Sequence, residues 1–178
     1  QCQRKIISKF LEEEWSTIGT PVFNFSDLTL SDGSSVEYME TLANPLGVRL
    51  KIESDSNFIL DISNGTNGFS IKKASQFSLS HTIDGVTYSI PAPSLGASII
   101  LDFSLNGDTM SYTVKGNGVS YSRTDTLNAD YESGFIFSVK DVTGNPVKVS
   151  SLKICNNLIG EDNIEKVDKS TFGIRDEG

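Results

Sequence analysis

Histidine, cysteine and methionine are scarce in this 178-residue chain: one His, two Cys and two Met. A single imidazole, His81, and two thiols, Cys2 and Cys155, make neither a CxxC redox pair nor a zinc knuckle. No metal and no other cofactor is expected. Positive charge is also in short supply, with 15 Lys and Arg against 23 Asp and Glu, a net charge of −8. The tightest basic groups are Arg4-Lys5 and Lys72-Lys73. Phosphate backbones and anionic bilayers are held by clustered cations, so nucleic acid and membrane surfaces are poor partners. Long apolar runs are missing too. The longest aliphatic run is Ile99-Ile100-Leu101, far short of the roughly 20 residues of a membrane-spanning helix. No membrane insertion is expected.

What is present is enough apolar material for one folded domain. Leu, Ile, Val and Phe make up 51 of 178 residues, above the roughly 20% below which chains stay disordered. Polar weight comes from 25 Ser and 13 Thr, a composition common in exposed β-proteins. It points to an extracellular or cell-surface location, with a virion as the alternative. The chain begins at Gln1 without an apolar signal segment, which implies a removed leader or a piece of a longer protein. Cys2 and Cys155 either pair or stay independent thiols. As a disulfide they would clip the N-terminus to a late strand, worth about 5 kcal/mol in the chain-entropy model. Asn24-Phe25-Ser26 and Asn64-Gly65-Thr66 match the glycosylation sequon. Chance supplies such matches in a chain rich in these residues.

Along the chain, residues 4 to 15 read as a short helix, because Ile6–Phe10, Ile7–Leu11 and Leu11–Trp15 are spaced four apart. Glu12, Glu13 and Glu14 near its C-terminal end oppose the macrodipole, so it needs a docking surface. From about Thr20 the period becomes two. Val48, Leu50 and Ile52 share a face, as do Phe77, Leu79, His81 and Ile83, and Ile99, Leu101, Phe103 and Leu105. Six Asn-Gly or Asp-Gly pairs punctuate the strands, among them Asp84-Gly85, Asn106-Gly107, Asn117-Gly118 and Asn67-Gly68. Such pairs supply the positive φ of tight hairpins. Val147 and Val149 are one residue out of phase with Leu152 and Ile154, which predicts a bulge at Ser150-Ser151. The expected fold is all-β, a two-sheet antiparallel sandwich over 20–155. It is preceded by a helix and linker over 1–19 and followed by a polar arm over 156–178.

The latter half has a recognisable order. A long strand pair, Ser98–Val114, leads through Gly116-Asn117-Gly118-Val119-Ser120-Tyr121 to Gly134-Phe135-Ile136-Phe137-Ser138-Val139. Val147–Ile154 then closes it. Over residues 98 to 155 this resembles the concanavalin A-like sandwich of lectins and laminin-G-like domains, which implies a jelly-roll topology. The glycosidases of that superfamily carry Glu-x-Asp-x-x-Glu on one strand, and the pattern is not found here. Glu37 and Glu40 are three apart, so on a strand they point to opposite faces. The superfamily's metal-binding lectins imply a dense oxygen cluster. The nearest candidate is Asp61-Ile62-Ser63-Asn64-Gly65-Thr66-Asn67, which reads as a turn built on Asn and Gly. His81 reads as packed and hydrogen-bonded in the core rather than catalytic. Neither a Gly-x-Ser-x-Gly elbow nor a phosphate loop occurs. No enzymatic activity is expected.

What remains is recognition. Sugar binding needs aromatic rings amid Asn, Asp and Gly, and the rings available are Trp15, Tyr38, Tyr88, Tyr112, Tyr121 and Tyr131. Tyr112 and Tyr121 have inward phase. Tyr38 and Tyr131 lie beside loops and acids and are the expected ligand contacts. The reading is a non-catalytic adhesion or binding module for carbohydrate or a cell-surface receptor. The first alternative is a structural virion component such as a fibre head, a homo-oligomer whose stalk the N-terminal helix would join. The second is a polysaccharide-cleaving enzyme.

Overall fold

The structure, a computed structural model, describes residues 5–130 and 132–157. Among the described residues fifteen strands run in chain order: β1 Lys5–Ile7, β2 Trp15–Ile18, β3 Val22–Asn24, β4 Asp27–Leu30, β5 Ser35–Tyr38, β6 Leu46–Ser54, β7 Phe58–Ser63 and β8 Gly68–Lys73. They continue with β9 Phe77–Ile83, β10 Val86–Pro91, β11 Ser98–Asn106, β12 Thr109–Gly116, β13 Val119–Thr126, β14 Ile136–Asp141 and β15 Val147–Asn156. One sheet has eight strands in the order β13-β12-β11-β6-β15-β4-β3, with β1 also paired to β15. The other has seven, in the order β10-β9-β8-β7-β14-β5-β2. All strand pairs are antiparallel.

Period-two patterning builds the core between the sheets. Leu46, Val48, Leu50 and Ile52 of β6 and Ile99, Leu101, Phe103 and Leu105 of β11 meet Phe58, Leu60 and Ile62 of β7. The β9–β10 hairpin turns at Asp84 (φ 51°) and Gly85 (φ 85°), and the β12–β13 hairpin at Asn117 (φ 52°) and Gly118 (φ 77°). The bulge lies where the sequence places it. Pairing with β6 shifts between Ser150 and Lys153, Ser151 has φ 54°, and Leu152 and Ile154 regain the inward face.

Three expectations need correction. Residues 4 to 15 do not form a helix. Lys5–Ile7 pairs with β15, a single 3-10 turn spans Glu12–Glu14, and Trp15 begins β2. Three glutamates with no base in the last turn cannot propagate a helix, whereas the sheet edges satisfy the backbone and bury Phe10 and Trp15. The helix-based argument for a bundled stalk falls with it. Asn67-Gly68 makes no turn, since Gly68 opens β8 without a positive φ. It must still be glycine, because a Cβ there would lie 2.5 Å from the Ile62 carbonyl oxygen and 2.7 Å from Ser63 Cα. Tyr38, expected at a surface, is buried, because β5 turns Val36 and Tyr38 inward and Glu37 outward. The polar arm beyond Asn157, Cys2 and Tyr131 lie outside the described residues.

Candidate functional site

The strand registers assemble a feature that the linear sequence hides. Across the outer face of the seven-stranded sheet, one continuous row reads Ser89, Ser80, Ser70, Asp61, Ser138, Glu37, Ser16. Small hydroxyl side chains thus flank a central carboxylate on both sides. The next row places Lys72 and Lys140 diagonally from Asp61, on either side of Ile59. The row on the other side of Asp61 holds Thr82, Gly68 and Ser63, with a buried glycine between two hydroxyl-bearing residues.

Asp61 is half-buried, and burial raises its carboxyl above the ordinary carboxylate range. Its side chain has no hydrogen bond or ion pair among the described residues. A desolvated acceptor without a protein partner favours any ligand that donates to it, because a hydrogen bond to a charged group is worth about 1.5–3 kcal/mol. Glu37 is exposed on the same face. Glu40 lies past the end of β5, 3.2 Å from the Lys5 ammonium, and accepts from the Asn156 carboxamide at 3.2 Å. The two glutamates are therefore apart, as their spacing requires.

The rim above this face is a carboxamide network. Glu132 Oε1 accepts from Asn64 Nδ2 at 2.9 Å and Asn67 Nδ2 at 3.1 Å. Asn64 Oδ1 accepts from the Thr66 and Asn67 amides, and Asn67 Oδ1 from the Asp84 amide. These oxygens are therefore committed to protein donors in this loop and its neighbours. A calcium ion needs six to eight oxygen ligands, and the Asp61–Asn67 segment does not fit such a cage. Tyr131, expected as a ligand contact, precedes Glu132 but is outside the described residues.

Tyr38 packs edge-on against Trp15, with ring centroids 5.1 Å apart. Burial, with the Glu40 and Glu14 carboxylates, pushes its hydroxyl far above the usual phenol range. Trp15 and Tyr112 are likewise core residues, and Tyr121 is partly buried. His81 is packed as expected, but neither ring nitrogen has a hydrogen-bond partner among the described residues. The row around Asp61 is not visible in the linear sequence, because apart from Ser70 on β8 its members come from strands distant in sequence. Alternation placed Asp61 opposite Leu60 and Ile62, and that was the available signal.

No family model matches the sequence, and no curated protein matches it. Solved structures do resemble it in shape. The VIP36 exoplasmic/lumenal domain in its Ca2+/Man3GlcNAc-bound form superposes with a TM-score of 0.58 at 10% identity, covering 93% of this chain and 94% of that one. A legume lectin-like domain from Entamoeba histolytica gives 0.56 at 9% identity, over 79% of this chain and 88% of that one. A glycosyl hydrolase family protein from Mycobacterium fortuitum gives 0.59 at 6% identity, over 83% and 94%. Two antiparallel sheets in this order, matched across nearly the whole of such neighbours, make the fold a concanavalin A-like jelly-roll sandwich.

Proposed function

We propose that the protein is a non-catalytic carbohydrate-binding module that holds its ligand on the outer face of the seven-stranded sheet. The observation that carries this reading is Asp61, a half-buried carboxylate without a partner among the described residues, centred in a row of serines. Sugar hydroxyls donate to such a carboxylate and accept from the serine hydroxyls beside it. The likeness in fold to lectin domains supports it. A secreted or cell-surface location goes with this reading, with a glycan or glycosylated receptor as partner. A glycan array probed with the wild-type protein and with Asp61→Asn tests it. Binding to a glycan class that drops about 10- to 100-fold in the variant is expected, from one charged hydrogen bond. Equal binding by both proteins would refute the site.

One observation favours a second reading, a polysaccharide-cleaving enzyme. Asp61 and Glu37 share the row with only Ser138 of β14 between them. Two strand spacings are about 10 Å, near the wide limit of about 9.5 Å for an acid and base that cleave with inversion. The Mycobacterium fortuitum neighbour is in keeping with it. Release of reducing ends from a glycan retained on the array, abolished by Glu37→Gln, would establish this reading over the first.

A further inference from the structure

Among the described residues the outer face supplies hydrogen bonds but no aromatic ring, and an exposed ring lies elsewhere. β10 and β13 are the edge strands of the two sheets on the same side of the sandwich. Their neighbours β9 and β12 meet across the core, with the His81 and Tyr112 ring centroids 6.2 Å apart. The two edges do not pair with each other among the described residues. Every residue of β10 is exposed, including the inward-phase Val86, Tyr88 and Ile90. A ladder of flat rings runs outward to this seam: Phe103 on Phe69 at 6.0 Å, Phe69 on Tyr112 at 4.3 Å, then His81, then Tyr88 at 5.3 Å and 21°. Tyr88 covers His81 with one ring face and is 49% exposed, so its other face meets solvent. Beside it on β13, Arg123 directs Nε to both Asp125 carboxylate oxygens at 3.0 Å. That pairing fixes the guanidinium and leaves its terminal N–H groups without a partner among the described residues. Behind Tyr88, His81 is 1% exposed with both ring nitrogens unpartnered.

We infer that the seam between β10 and β13 is a second binding site, one that takes the apolar face of a neutral hexopyranose on the outer ring face of Tyr88. Arg123 donates to a ring hydroxyl of that sugar. The C–H-rich face of a pyranose matches a flat, half-exposed ring, and a fixed guanidinium presents donors in a planar fork to hydroxyl oxygens. The net charge of −8 disfavours an acidic sugar chain by long-range repulsion. The inference rests on the carbohydrate reading but uses none of the residues of the outer face.

The test is an NMR titration of the full chain with methyl α-D-mannopyranoside, methyl β-D-glucopyranoside and methyl β-D-galactopyranoside, following the ring signals of His81 and Tyr88. Saturable shifts at both rings are expected for at least one glycoside. Tyr88→Ala should weaken that binding about 3- to 10-fold, as expected for one stacking contact, while Tyr88→Phe retains it. Tyr88 lies on an exposed edge, and an unchanged Phe69 ring signal reports that the variant is folded. Absence of saturable shifts with all three glycosides, or equal binding by wild type and Tyr88→Ala, overturns the inference. Asp61→Asn separates the two sites. Glycan binding that is lost in Asp61→Asn but intact in Tyr88→Ala sinks the seam and leaves the outer face. Seam shifts that persist in Asp61→Asn, with array binding unaltered by that variant, sink the outer face and leave the seam.

Discussion

His81→Phe should make the protein more stable, and more so in acid. Both imidazole nitrogens are buried without a partner among the described residues, and an unsatisfied buried polar atom costs about 1–3 kcal/mol. Phenylalanine keeps a flat ring for Tyr88 at 5.3 Å and Tyr112 at 6.2 Å. The site opens toward a half-exposed Tyr88, so the small added volume has room. A net gain of about 1–3 kcal/mol at neutral pH follows, and for a domain of this size each kcal/mol moves the midpoint by about 2–4 °C. The pH term has a definite sign. Burial first, and then the Arg123 guanidinium, hold the His81 pKa below its ordinary value, with Asp125 opposing in part. The unfolded chain takes up a proton near pH 6.5 that the folded state resists, so wild-type stability falls as pH drops through that value. The Phe variant lacks this loss. Urea denaturation at pH 7.5 and pH 5.5 measures both effects. A variant less stable than wild type at both values, or one whose advantage does not grow in acid, would show that the His81 imidazole is not an unsatisfied buried group.

Three further outcomes are expected. Gly68→Ala should cost about 1–3 kcal/mol in a denaturant melt, because the new Cβ meets backbone atoms of Ile62 and Ser63 that move only with β7. Deleting Ser151 removes the extra residue of the bulge and leaves Leu152 and Ile154 in the inward phase set by Val147 and Val149, so circular dichroism should report a folded chain. Asp61→Asn should raise the thermal midpoint at pH 7 but not near pH 3. Burial raises the folded-state pKa of this carboxyl, so its contribution is favourable in acid and is lost as pH rises through the raised value.

Much of the fold was legible because its signals are local. Alternation marked Val48, Leu50 and Ile52 as inward, Asp84-Gly85 marked a hairpin, and the phase slip before Leu152 marked the bulge. The N-terminal segment misled because i, i+4 spacing over a dozen residues also suits short strands, and the edges of β15 and β5 decided the outcome. Gly68 carries a turn signature yet serves close approach between β7 and β8, a requirement that exists only once those strands pair. Tyr88 has the phase of a core residue but lies on an edge strand, and strand order is not written in any local pattern. The same limit hid the row around Asp61. Ser70 lies on the next strand, β8, but Ser138 comes from β14 late in the chain, and Glu37 and Ser16 from β5 and β2 near its start. No spacing rule brings them together before the sheet forms.

Asp61 is proposed to hold a carbohydrate on the outer face of the seven-stranded sheet. Isothermal titration of the strongest array glycan into wild-type protein and into Asp61→Asn tests it directly. Saturable binding that weakens at least about 10-fold in the variant is expected, from one charge-assisted hydrogen bond. Equal affinity for the two proteins, or no glycan bound by either, would contradict it.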